Sequence, residues 1–95
     1  MFKEYHTYIM TNGPEGTLYI GMTGDLFARV KTHKQGDVEG FTERCRLDRL
    51  VYYETFGTPI EAIRREKKLK KWYRQWKINL VESVNPSWSD LAWDW

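Results

Sequence analysis

Aromatic and β-branched residues crowd Tyr5 to Thr11 and again Thr17 to Met22, and the turn-forming run Asn12-Gly13-Pro14-Glu15-Gly16 separates them. This pattern predicts two antiparallel strands joined as a hairpin. Thr23-Gly24-Asp25 then supplies a turn and a helix cap, so a helix is expected from about Leu26 to Lys34, ended by Gln35-Gly36. Gly36 to Arg46 is polar and mixed in charge and reads as a surface loop. Leu47 to Phe56 contains Leu50-Val51-Tyr52-Tyr53 and reads as a third strand, stopped by Gly57. Thr58-Pro59-Ile60-Glu61 opens the next helix: a capping residue, a proline suited to the first helical position, and a glutamate three after the cap. That helix is expected to break near Trp72 to Arg74, and a third helix to run to about Ser83 before Asn85-Pro86 ends it. The fold class is α/β (α+β), a three-stranded antiparallel sheet flanked by helices. The tail carries Trp88, Trp93 and Trp95, which are expected to fold back on the body.

Helical spacing places Ala62, Glu66, Leu69, Tyr73 and Trp76 on one stripe, while most lysines and arginines of the segment project elsewhere. Glu66 therefore interrupts an apolar face, and it is the only acid between Arg64 and Lys77. A carboxylate losing water needs a partner. A salt bridge to a neighbouring lysine or arginine would serve, and so would a metal ion facing a phosphate. Tyr73 and Trp76, by sharing the stripe, are expected in the core.

At 95 residues the chain is expected to be one domain, residues 1–95, with a single modest core. Its one cysteine, Cys45, allows no internal disulfide, which suits a reducing cytoplasm, and it reads as a passive small side chain. The N-terminus lacks a secretory pattern, and no apolar run approaches the roughly 20 residues that cross a bilayer. A cytoplasmic protein without membrane contact, monomeric or weakly dimeric, is expected. Net charge is only +2, but eight of the fifteen basic residues lie between Arg64 and Lys77. One face should thus carry a positive potential suited to a nucleic-acid backbone.

The chemistry-bearing residues form a pattern. Thr7-Tyr8-Ile9 on the first strand, Tyr19-Ile20-Gly21 on the second, Arg29 and His33 on the first helix and Glu66 on the later one resemble the GIY-YIG endonuclease superfamily, with Thr7 where the family name has glycine. Gly40-Phe41-Thr42, Leu50-Val51-Tyr52-Tyr53-Glu54, Ala62-Ile63-Arg64-Arg65-Glu66-Lys67, Lys71-Trp72 and Asn85-Pro86-Ser87-Trp88 look like its small single-domain bacterial branch, related to the nuclease module of excision repair. Several elements in order across nearly the whole chain make the resemblance specific.

Physical spacing agrees with the grouping. Tyr8 and Tyr19 lie on neighbouring strands and share a site if the register puts them on one face. Arg29 and His33, four apart, share a helical face. The resemblance implies a phosphodiester endonuclease with Tyr8, Tyr19, Arg29, His33 and Glu66 as catalytic residues, and a divalent metal, Mg²⁺ or Mn²⁺, on Glu66. Tyr8, assisted by Tyr19, would be the general base or the water-orienting group. A phenol with a pKa of about 10 is a poor base at neutral pH, so cations such as Arg29 would have to favour the phenolate. Gly21, Lys67, Lys70, Lys71, Arg74 and Asn85 are the expected substrate-binding set, with Asn79 competing with Asn85 as a site-supporting asparagine. The expected substrate is DNA, single-stranded, branched or damaged, cut with low sequence specificity. Two other classes stand beside this one: a catalytically weak nucleic-acid-binding module, and an interaction domain using the tryptophan-rich tail.

Overall fold

The computed structural model describes residues 3–36 and 47–95. Three strands and three helices follow in the order β1 (Tyr5–Thr11), β2 (Leu18–Thr23), α1 (Leu26–Lys34), β3 (Arg49–Phe56), α2 (Pro59–Lys71) and α3 (Arg74–Val84). The expected loop beyond Gly36, with Cys45 and Gly40-Phe41-Thr42, lies outside the described residues. Among the described residues no helix is long and apolar enough to cross a membrane.

The sheet is antiparallel with strand order β2-β1-β3, so β1 is central. Its sequence suits that place, because Thr7 through Thr11 are all buried and alternate side chains feed two separate cores. Tyr8 and Met10 pack on one face with Leu26 and Val30 of α1 and with Leu50. Ile9 packs on the other with Ile20, Val51, Leu69 of α2 and Val81 of α3. A register shift between Ile9 and Met10 sets Tyr52 opposite Ile9 and Leu50 opposite Met10, so Val51 is the extra residue of a bulge.

Both cap expectations hold. The Asp25 side chain accepts the Ala28 N–H at 3.1 Å. Thr58 Oγ1 accepts the Glu61 N–H at 3.3 Å and donates to Glu61 Oε1 at 2.9 Å, with Pro59 in the first turn.

The apolar stripe does not run past α2. Trp72 (φ −69, ψ 149) and Tyr73 (φ −58, ψ 148) have extended backbone, which resets the phase of the following helix. Tyr73 and Trp76, expected in the core, are therefore 73% and 51% exposed. What holds the joint is a chain of contacts from the sheet. Tyr52 donates to Glu54, Glu54 takes a forked pair from Arg65 at 2.9 and 3.0 Å, and the Arg65 guanidinium lies 5.1 Å from the centre of the Trp72 ring. Burial, helped by Glu54, pushes the Tyr52 phenol up to about 12, so it stays a proton donor.

The tail is stapled to the same edge strand, β3, and to α1. Asp90 Oδ1 accepts the N–H groups of Leu50 (3.1 Å) and Ala92 (3.0 Å), and Oδ2 pairs with Lys34 Nζ at 2.7 Å. Burial opposes the Asp90 charge, but Lys34 and the two N–H donors outweigh it and hold the carboxyl below its usual range. Trp88 is buried and donates to Glu82 at 2.9 Å, and Trp95 stacks on Phe27 at 6.0 Å. Trp93, expected to fold back with them, is instead 79% exposed.

Candidate active site

In the β1–β2 register Tyr8 faces Gly21, and Tyr19 faces Met10, so both phenols project from the same sheet face towards α1. Their ring centres are 6.2 Å apart. The bare Cα of Gly21 makes this possible: a Cβ there would lie 2.5 Å from Tyr8 Oη and 2.9 Å from the Tyr19 ring. Gly21 is thus a floor for the phenols as well as the end of a motif.

α1 completes the cluster. Arg29 and His33 turn the same face to the sheet, and their side chains converge on one atom. Arg29 Nε donates to Tyr8 Oη at 3.1 Å, and His33 Nε2 lies 3.1 Å from the same oxygen. Tyr19 meets the His33 ring edge-on at 4.9 Å and also interacts with Arg29. The hydrogen bond to Tyr8 keeps the Arg29 guanidinium firmly charged.

Burial decides the protonation states. It pushes the Tyr8 phenol up to about 12, although Arg29 pulls the other way. The condition for a phenolate base, that nearby cations outweigh burial, is therefore not met: desolvation wins, and Tyr8 rests as a neutral phenol. Burial first, and the Arg29 charge second, lower His33 to about 4, so it is a neutral imidazole at physiological pH. Its Nδ1 is buried without a partner.

Glu66 comes from a different element. It projects from α2, which packs against β1 and β2, the two strands that carry the phenols, and seats Leu69 against Ile9 and Ile20. Its ion pair is to Lys70 Nζ, one turn on, at 3.6 Å, with the lysine side chain 55% exposed and the carboxylate 20%. The salt-bridge reading of Glu66 thus describes the resting state. An exposed, loosely held lysine is a partner that a cation could replace. Among the described residues there is no group of three or more His, Cys, Asp or Glu side chains that could hold a metal. A lone carboxylate fits a hard ion that keeps its waters and takes a phosphate oxygen, not a closed nitrogen and sulfur site.

Of the expected substrate-binding cations, Lys67 and Lys71 are exposed on α2, and Arg74 is tied to the hairpin turn through Gly16 O at 2.5 Å. Asn85 is corrected from a substrate-facing to a structural residue. It caps α3, is 6% exposed, and spends its amide on Val51 O (3.1 Å), Ser89 O (2.9 Å) and the Ser89 N–H (3.1 Å). Asn85→Ala strands the buried Val51 carbonyl, so thermal unfolding should show a loss of about 2 kcal/mol, roughly 10 °C in Tm. Cleavage per folded molecule should not change. Asn79, the competing asparagine, is exposed and accepts from Gln75.

One positioning residue escaped sequence reasoning. Thr7 is fully buried and its Oγ1 donates to Ala62 O at 2.7 Å, tying β1 to α2 one turn before Glu66. The only signal was the departure from the glycine of the family name.

The sequence profile of the GIY-YIG catalytic domain matches residues 4–79. The stretch covers every residue of the cluster and Glu66, and stops before Asn85. The chain belongs to the GIY-YIG family of nucleases. Its relatives sit in the small branch called UPF0213: it is 34% identical over 84 residues to a UPF0213 protein of Bacillus pumilus, covering 88% of this chain and 86% of that protein. Against a UPF0213 protein of Staphylococcus aureus it is 35% identical over 79 residues, covering 83% and 96%. The solution NMR structure of the UPF0213 protein from Bacillus halodurans shares the fold, with a TM-score of 0.57, 28% identity and 92% coverage of each chain.

Proposed function

We propose that this protein is a metal-dependent endonuclease that hydrolyses phosphodiester bonds of DNA, with low sequence specificity. The observation that carries the reading is the convergence of a guanidinium and an imidazole on one phenol oxygen, Tyr8 Oη, with a second phenol beside it. An ordinary sheet face has no use for a charged guanidinium and an unpartnered imidazole nitrogen in one buried cluster.

Arg29 is the phosphate-facing charge. Its Nε–H is spent on Tyr8, and other N–H donors of the fork remain for a phosphoryl oxygen, where they stabilise charge that grows in the transition state. Tyr8, a neutral phenol, orients the attacking water and relays its proton. The water proton passes to Tyr8 Oη as the phenol proton passes to His33 Nε2, while the water oxygen bonds to phosphorus and the leaving oxygen departs. An anionic substrate beside Arg29 offsets the cation that disfavours imidazolium, so substrate binding itself makes His33 more basic. Glu66 would hold Mg²⁺ or Mn²⁺, which supplies charge for the leaving oxygen and the phosphoryl group. Lys67, Lys70, Lys71 and Arg74 supply non-specific backbone contacts on the α2 side.

Incubation of labelled single-stranded, duplex and flapped DNA with Mg²⁺ or Mn²⁺, against the same reactions in EDTA, tests the proposal. Internal cuts that appear with metal and vanish in EDTA are expected. Unchanged cutting in EDTA removes the metal, and no cutting of any substrate leaves the chain a binding module.

A further inference from the structure

Nothing in the catalytic reading uses the two large rings at the α2–α3 joint. Tyr73 is 73% exposed and Trp76 51%, and they meet edge-to-face with centres 4.9 Å apart. Burying such rings is favourable, so leaving them in solvent is a cost with no return within the monomer. They are also not loose. Trp76 abuts the Trp72 ring edge-on at 6.0 Å, and Trp72 is held by Arg65, which Glu54 clamps from β3. The clamp from β3 therefore braces the Trp72 ring against which Trp76 rests.

We propose that Tyr73 and Trp76 form a stacking platform for unpaired bases of a DNA strand. The inference rests on the nucleic-acid reading of the site and specifies the form of the strand. Charge complementarity selects the occupant. Lys70 and Lys71 end α2 on one side of the rings, and Arg74 and Lys77 flank them on α3. Among the described residues only Lys70 of these has an acidic partner, Glu66, while Arg74 and Lys77 donate to backbone carbonyls, so an apolar protein partner would bury a surplus of positive charge, whereas a strand offers phosphates for the cations and a flat ring for each aromatic. A paired duplex hides its base faces, so the rings select an unstacked segment. The platform is continuous with the helix that carries Glu66: the end of α2 lies only about 7.5 Å of helical rise beyond that residue, and Arg74 bonds to the β1–β2 turn at Gly16.

Fluorescence anisotropy of a short labelled oligothymidylate, in EDTA and at fixed salt, reads binding without cleavage. An abasic strand of equal length supplies the phosphates without the bases. The native chain should prefer the base-bearing strand by about tenfold to a hundredfold, with quenching of tryptophan fluorescence. The Tyr73→Ala, Trp76→Ala double variant should lose that preference and the quenching while binding the abasic strand as the native chain does. Trp76→Tyr alone, which keeps a flat ring, should retain most of the preference. Equal native affinity for the two strands, binding to neither, or a preference that survives the double variant would overturn the platform. The outcome is independent of catalysis: a chain that stacks bases but cuts nothing with metal sinks the nuclease reading alone, and a chain that cuts without preferring bases sinks this one alone.

Discussion

Glu66→Gln should lower DNA cleavage by about a thousandfold or more while leaving the fold and DNA affinity almost unchanged. The activity side follows from charge. The amide has nearly the shape of the carboxylate but no charge to hold a divalent ion, and a metal aligned on a phosphoryl group contributes several kcal/mol of transition-state stabilisation. The stability side follows from the resting structure. The carboxylate is paired with Lys70 at 3.6 Å, a half-exposed side chain, and such pairs contribute less than about 1 kcal/mol. Neutralising Glu66 also removes the one acid from a run of cations, so affinity for DNA should hold or rise. Thermal unfolding, anisotropy in EDTA and single-turnover cleavage separate the three quantities. A variant that cuts as fast as the native chain would take Glu66 out of the mechanism, and one that unfolds would make Glu66 a structural residue.

The same comparison shows what the sequence could and could not say. Local rules placed the elements to within a residue or two, because caps such as Thr58 with Glu61 and turns such as Asn12 to Gly16 are settled by neighbours in the chain. Shared faces were legible where periodicity was unbroken, as for Arg29 with His33 along one helix, whereas Tyr8 and Tyr19 share a face through a register that the strands alone did not give. The stripe from Ala62 to Trp76 failed at Trp72: the break near Trp72 to Arg74 was legible, but how far two extended residues there turn the phase of the next helix was not. Long-range pairs were invisible. Nothing near Arg65 in the chain points to its clamp on Glu54, and nothing near Asp90 points to Lys34 or the backbone of Leu50. Protonation states were illegible for the same reason, because the burial that sets them is a property of the assembled core.

Arg29→Gln carries the second large effect, and it has two readouts that a merely structural arginine would not move together. Removing the fork takes away a charge-assisted contact to the phosphoryl oxygen and the donor that holds Tyr8 Oη, so kcat should fall about a hundredfold to a thousandfold. The second readout is the titration of His33, followed by the NMR shifts of its ring protons. In the native chain burial and the Arg29 charge hold His33 at about 4, against 6.5 for a free imidazole. The unfolded chain thus takes up a proton that the folded chain refuses between those two values, and stability is lost as pH falls through that window, by on the order of 3 kcal/mol in all. Without the guanidinium the His33 pKa should rise but stay below 6.5, since burial is the larger cause, and the acid loss of stability should shrink accordingly. A fall in kcat with an unmoved His33 would mean that the arginine acts on substrate alone, and the proposed coupling of substrate charge to His33 basicity would be lost. An unmoved kcat would remove Arg29 from the phosphate site altogether.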